Sequence, residues 1–132
     1  MKTTLLTPET DENAVKTAAE LIRAGEVVGM PTETVYGLAA NALNGEAVKK
    51  IFLAKGRPQD NPLIVHISRF SQLASLVREV PESAQKLAAA FWPGPLTIIL
   101  PKSDVIPQQT SGGLDTVAVR CPSHPTARAV ID

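Results

Sequence analysis

The sequence is short of the residues that usually build covalent frameworks and metal cages. It has a single cysteine, Cys121, so no internal disulfide can form, and only two histidines, His66 and His124. A Cys/His metal framework is therefore excluded, and one isolated thiol fits a reducing, cytoplasmic setting. Cys121 has no base near it in sequence, and a buried, inert thiol is the expected state. Charge of either sign is balanced, 13 basic residues against 13 acidic, so no global field drives the chain toward nucleic acid or membrane. No apolar run approaches the length of a membrane span. The N-terminal "MKTTLLTPETDEN" has too short an apolar stretch for a signal peptide. Repeats and low-complexity linkers are absent. So are GxxxxGK[ST], GxGxxG, HExxH, CxxC and GxSxG, which removes the common phosphate-loop, zinc-protease and serine-hydrolase readings.

What remains is an ordinary globular mix. Hydrophobic residues make up 44% and charged residues 20% of 132, enough for one domain with one core. "TDENAVKTAAELIRAGE" reads as a helix capped by Thr10 or Asp11, with Val15, Ala18, Ala19 and Ile22 as its apolar stripe and Gly25 as its stop. "EVVGM" reads as a short strand. "NGEAVKKIFLAKGRP" reads as a second helix, capped by Asn44, with Ala47, Val48, Ile51 and Phe52 inward and Gly56 at its end. "PLIVHI" shows no alternation, which predicts a strand buried on both faces. "SQLASLVREV" and "PESAQKLAAAFW" read as helices, "PLTIIL" and "TVAVR" as strands, and "SHPTARAVID" as a helix capped by Ser123. Helices alternating with strands indicate an α/β domain with helices packed on a sheet. The chain stops inside its last helix, so the domain spanning 1–132 is expected to be incomplete at its C-terminus.

Several stretches carry residues suited to chemistry. "PTETVYGL" follows a strand, where open α/β sheets place ligand crevices. Thr32, Thr34 and Tyr36 give it hydroxyls that both donate and accept, a set able to hold a small polar ligand such as an amino acid; a polar surface turn fixed by Pro31 and Gly37 is the alternative. "AKGRPQDNP" brings Lys55, Arg57 and Asn61 together. Arginine offers a planar fork and lysine a point charge for phosphate oxygens, whereas cations at a helix end also serve simply to balance its dipole. His66 in "PLIVHI" is either a hydrogen-bonded core histidine or a ligand contact at the strand's end. Arg120 ends "TVAVR", where it is either a carboxylate clamp or a surface ion pair. Thr116, four residues earlier, falls on the same strand face as Arg120. "SGGLD" is a glycine-rich turn, and "WPGPLT" shapes the entry to a strand.

Taken in order, "PTETVYGL", "KGRPQDNPLIVHI", "FWPGPLTIIL" and "TVAVRCPSHP" resemble the YrdC family over nearly the whole chain. The resemblance implies an α/β fold with a twisted mixed sheet, flanking helices and a concave cleft. It also implies a nucleotidyltransferase activity, the synthesis of threonylcarbamoyl-AMP from threonine, bicarbonate and ATP with release of pyrophosphate. The product supplies the threonylcarbamoyladenosine modification of tRNA through a downstream tRNA threonylcarbamoyl transferase. By position, Thr34, Tyr36, His66 and Arg120 correspond to threonine-binding residues. Lys55, Arg57, Asn61 and Thr116 correspond to ATP-binding residues, with Lys55 and Arg57 as the charges that serve catalysis. No protein-held metal is implied, and Mg2+ accompanies ATP. Family members carry a further Ser-x-Asn segment beyond the region matched here, so a chain ending at Asp132 is expected to bind ATP weakly or to be inactive.

Two other readings follow from the same residues. Lys49, Lys50, Lys55 and Arg57 form a local basic cluster that suits a non-catalytic double-stranded RNA or tRNA-binding module, whose binding would weaken steeply with salt. An inactive fragment of the synthase, self-associating through exposed apolar surface, is the third.

Overall fold

The computed structural model describes residues 3–56 and 62–132. It contains five strands and six α-helices among those residues. The first part of the chain builds a helix and a hairpin. Helix α1 (Ala14–Arg23) leads into β1 (Val28–Pro31), which pairs antiparallel with β2 (Tyr36–Ala39) in the register Val28↔Ala39 to Pro31↔Tyr36. Helix α2 (Gly45–Lys55) follows. Its Asn44 cap accepts from the backbone N–H of Glu46 and Ala47, and Gly56 closes it at φ 64° in the left-handed region. Its buried face is Ala47, Val48, Ile51 and Phe52, the four residues its periodicity predicts.

A second sheet has the order β3-β5-β4, with β3 (Ile64–His66) parallel and β4 (Thr97–Pro101) antiparallel to β5 (Thr116–Arg120). Between these strands lie α3 (Leu73–Leu76), preceded by a 3-10 turn at Phe70–Gln72, then α4 (Glu82–Phe91) and α5 (Gln108–Ser111). Helix α6 (Pro125–Ile131) comes last.

Two apolar clusters follow from the pleat. On one face of the second sheet, Val65, Val117, Val119, Ile98 and Leu100 meet Leu73, Leu76, Ala84 and Ala88 from α3 and α4. Leu73 and Val119 are wholly buried, and each contributes about 2 kcal/mol from lost apolar exposure. The second cluster joins Ala18 of α1, Met30 of β1, and Ala127 and Val130 of α6. Thus α1 and α6 pack on the hairpin, while α3 and α4 pack on the three-stranded sheet.

Several local expectations change. "PLIVHI" forms an edge strand rather than one buried on both faces; Ile64 stays 40% exposed. Its missing alternation misleads because β3 is three residues long, too short for period-two patterning to register. "YGLA" pairs as β2, a strand that the polar turn before it conceals. "SQLASLVREV" yields only a single helical turn, because Val77 leaves it to bridge Lys102. The cap of α6 is His124, whose Nδ1 accepts from Thr126 N–H at 3.2 Å, rather than Ser123. Helix α1 starts after Asn13, and Asp11 Oδ1 instead accepts from Asn13 N–H one turn earlier.

Candidate functional site

The candidate site is built by register. β3 and β5 run parallel and end side by side, with His66 opposite Arg120, while Thr97 of β4 faces Arg120 from the other side. Residues paired in register share a face, so His66, Arg120 and Thr97 make one polar row across the three strands. This is the face opposite the helices. Ile64, Ala118 and Ile99 form the next row, and Ile99 is 64% exposed. The row lies at the C-terminal ends of the two parallel strands, where open α/β sheets bind ligands.

The electrostatics of the row are defined. Arg120 donates through Nε and Nη2 to Thr97 Oγ1 at 3.0 and 2.8 Å, which fixes the plane of the guanidinium. His66 Nδ1 lies 3.1 Å from the carbonyl of Ile64. A carbonyl only accepts, so Nδ1 carries the proton and Nε2 is left as an acceptor. Burial holds the imidazole below its ordinary pKa of 6.5, and Arg120 pushes the same way. The Ile64 carbonyl and the charge of Glu33 oppose the shift without reversing it.

The polar turn between β1 and β2 is organised by Thr32. Its hydroxyl donates to Val35 O at 2.6 Å and accepts from the N–H groups of Thr34 and Val35. Since that proton is committed, Thr34 Oγ1 is the donor in the 3.0 Å contact between the two hydroxyls. Thr34 itself stays exposed, with lone pairs still available. Glu33 ties the turn to the second sheet: its Oε2 accepts from Ser123 N–H at 3.3 Å, three residues past Arg120. Its charge is felt at both His66 and Cys121.

The residues expected from sequence divide into three groups. His66 and Arg120 are brought together, and the turn carrying Thr34 is anchored beside the end of β5. Tyr36 pairs with Pro31 and is 81% exposed, so among the described residues its ring packs against little. Thr116 shares the Arg120 face, as expected, but stands at the other end of β5, four residues or roughly 13 Å away. Lys55 is exposed at the last position of α2. Arg57 and Asn61 lie outside the described residues. In the basic cluster, Lys49 pairs with Glu46 at 3.0 Å and Lys50 with Glu26 at 3.4 Å, which neutralises half of the proposed RNA-binding charge.

Sequence reasoning missed two members of the site. Thr97 gives no signal until β4 and β5 are registered. Glu33 sat in the polar turn but counted only as polarity. Cys121 is buried on the helix side, and burial holds its thiol above the usual range, as expected of an inert thiol. A cavity of about 490 Å³ opens on that side, between Trp92, Ala88, Phe70 and Arg128. None of the residues expected from sequence lines it. Among the described residues no three His, Cys, Asp or Glu side chains come together as a metal cage.

Residues 20–132 match the Sua5/YciO/YrdC family, described as "Telomere recombination". The chain belongs to this family. It is 59% identical over 122 residues to the threonylcarbamoyl-AMP synthase of Pyrococcus abyssi and 56% identical over 123 residues to that of Bacillus subtilis. Each match covers 92% of this chain and 36% of the relative, so the chain spans about a third of the length of these two curated relatives. Among solved structures, P. abyssi Sua5 complexed with L-threonine superposes with a TM-score of 0.89 at 60% identity, covering 92% of this chain and 36% of that one. E. coli YciO superposes at 0.78 with 25% identity, covering 91% and 58%. The mixed α/β fold expected of a YrdC-family member is the fold observed.

Proposed function

We propose that this chain forms the threonine site of a threonylcarbamoyl-AMP synthase, acting on threonine, bicarbonate and ATP. The observation that carries the reading is the row His66–Arg120–Thr97 at the ends of two parallel strands, in a chain so similar to a synthase described with L-threonine. Arg120, aimed by Thr97, suits the threonine carboxylate. Neutral His66 presents Nε2 to a donor on the substrate, and Thr34 in the anchored turn supplies hydroxyl lone pairs.

The reaction needs no protein nucleophile. The threonine amine and bicarbonate condense to a carbamate with loss of water. A carbamate oxygen then attacks the α-phosphorus of ATP, the bond to the β-phosphate breaks, and pyrophosphate leaves. The protein contributes alignment and charge neutralisation. Lys55, Arg57, Asn61 and Thr116 are the nucleotide-side residues in this reading, with Lys55 and Arg57 meeting the phosphates. Thr116 stands roughly 13 Å along β5 from Arg120, a separation that leaves room for threonine at one end and nucleotide at the other. Mg2+ enters with the triphosphate as part of the substrate. In this reading both bind in the concave cleft that the family resemblance implies. The product goes on to a cytoplasmic transferase that modifies tRNA.

The test is pyrophosphate release from ATP and bicarbonate, with and without threonine. Threonine-dependent release is the expected activity of the site. Failure of threonine to bind in calorimetry would sink the reading. Threonine binding without release would place the nucleotide half of the site in a longer protein.

A further inference from the structure

The turn at the tip of the β1–β2 hairpin and the end of β5 meet through one bond. Among the described residues, the only hydrogen bond between 28–39 and 62–132 runs from Ser123 N–H to Glu33 Oε2, at 3.3 Å. Packing of Met30 against Ala127 and Val130 holds the hairpin's strands on α6, which leaves the turn at their tip to Glu33. Both ends of this bond are stiff. On one side the Thr32 hydroxyl ties the turn together through Val35 O and two N–H groups. On the other, Pro122 is fully buried and Cys121 O accepts from Gly94 N–H at 2.8 Å, so the segment after Arg120 is fixed to the loop ahead of β4. With two stiff bodies and one bond, that bond sets the distance between Thr34 and the strand end that carries Arg120.

The bond is made at a cost to stability. Glu33 Oε1 is buried and has no hydrogen-bond partner, and none of the ion pairs among the described residues includes Glu33. The oxygen is sealed, so neither water nor a ligand satisfies it. A buried carboxylate oxygen left unbonded is destabilising, and native structures keep few of them. Such departures from the local rules concentrate at functional sites. The work that offsets the cost falls to Oε2. The charge of Glu33 registers at His66 and at Cys121, which places the carboxylate beside the ends of β3 and β5.

We infer that Glu33 is a positioning residue for threonine recognition: its side chain latches the turn carrying Thr34 to Ser123, three residues past Arg120. The inference rests on the threonine reading above. Glu33 itself touches no ligand. Its part is reach, and the bond needs only an acceptor at the right length.

The experiment pairs calorimetric titration of threonine with chemical denaturation, on wild-type protein and three variants. Glu33→Asp keeps the charge but is one methylene short of Ser123. Glu33→Ala removes the latch. Glu33→Gln keeps the length and an acceptor without the charge. Glu33→Asp and Glu33→Ala are each expected to lose threonine affinity roughly 3- to 10-fold, the worth of the hydrogen bond that a displaced Thr34 no longer makes. Glu33→Gln is expected to recover most of that loss. Stability should not follow affinity: Glu33→Ala sheds the unbonded oxygen, and Ser123 is exposed, so water takes over its N–H. Its unfolding midpoint is expected to equal or exceed that of wild type. Full affinity in Glu33→Asp or Glu33→Ala overturns the inference. So does a loss in Glu33→Gln as large as in Glu33→Ala, which would make the charge rather than the reach decisive. Affinity falling in step with the unfolding midpoint also overturns it, by reducing Glu33 to a structural residue. Failure of wild-type protein to bind threonine removes the threonine reading itself, and is distinguishable because it appears before any substitution.

Discussion

Arg120 and Thr97 are locked together: both Nε and Nη2 of the arginine donate to one threonine hydroxyl, at 3.0 and 2.8 Å. A guanidinium held at two nitrogens cannot swing about its long stem, so its remaining N–H groups point in a fixed direction. Pre-orientation of this kind lowers the entropy lost when a carboxylate binds. Replacing Thr97 with valine keeps shape and β-propensity but removes the acceptor. The expected result is an intact fold and a threonine affinity reduced ~3- to 10-fold, near 1 kcal/mol for one net hydrogen bond. Arg120→Lys keeps the charge and loses the planar fork, and a larger loss is expected. Calorimetry on both variants checks this. Full affinity in Thr97→Val would show that Thr97 does not aim the clamp.

The titration of His66 gives a pH prediction with a definite sign. Its pKa in the folded chain is lowered from 6.5, chiefly by burial, with Arg120 adding to the shift. Between the folded value and 6.5 the unfolded chain binds more protons, so folding stability rises with pH across that window. Stability is therefore fully present above pH 6.5 and falls as the pH drops through the folded value. His66→Asn keeps a donor for Ile64 O and removes the titration. Thermal unfolding at a series of pH values is expected to show a shallower acid loss in the variant. Matching slopes in the two proteins would contradict the assignment.

The Thr32 hydroxyl is bonded to Val35 O and to two backbone N–H groups, so it shapes the turn that carries Glu33 and Thr34. Thr32→Ala removes all three contacts at once. A cost of about 1–2 kcal/mol in denaturant unfolding is expected, with Thr32→Ser recovering most of it. Threonine affinity should follow the same order, because the turn must hold its shape for Thr34 to face a ligand. Equal stability in the alanine variant would mean that Pro31 and the β1–β2 pairing fix the turn without it.

How much of this was legible beforehand depended on the range of the interaction. The core face of α2 and its Asn44 cap are local, and periodicity with capping chemistry found both. The resemblance of four ordered blocks named the family. His66 and Arg120 were singled out separately, but nothing in a linear reading puts them in register, since 54 positions separate them and the parallel pairing joins strands through intervening helices. Thr97 and Glu33 were illegible for the same reason. Each acts through a partner 23 or 90 residues away, and a side chain's role is set by that partner. Short elements were the other loss. β2 and α5 are only four residues long, and tertiary pairing rather than propensity makes them.

Lys102 presents the last prediction. It is 8% exposed, and its Nζ donates to Ser111 Oγ at 2.8 Å. None of the ion pairs among the described residues includes it. A buried ammonium with a hydroxyl partner depends heavily on that partner, because the alternative is an unsatisfied donor in an apolar setting. Ser111→Ala is thus expected to destabilise the fold by ~1–3 kcal/mol, more than a surface serine would. Lys102→Met alone strands only a neutral hydroxyl, which costs less. The double variant Lys102→Met/Ser111→Ala removes both polar groups and is expected to be more stable than Ser111→Ala. Chemical denaturation of the three variants gives the cycle directly. Additive losses, with the double variant the least stable, would mean that water reaches Lys102 and that Ser111 is not its essential partner.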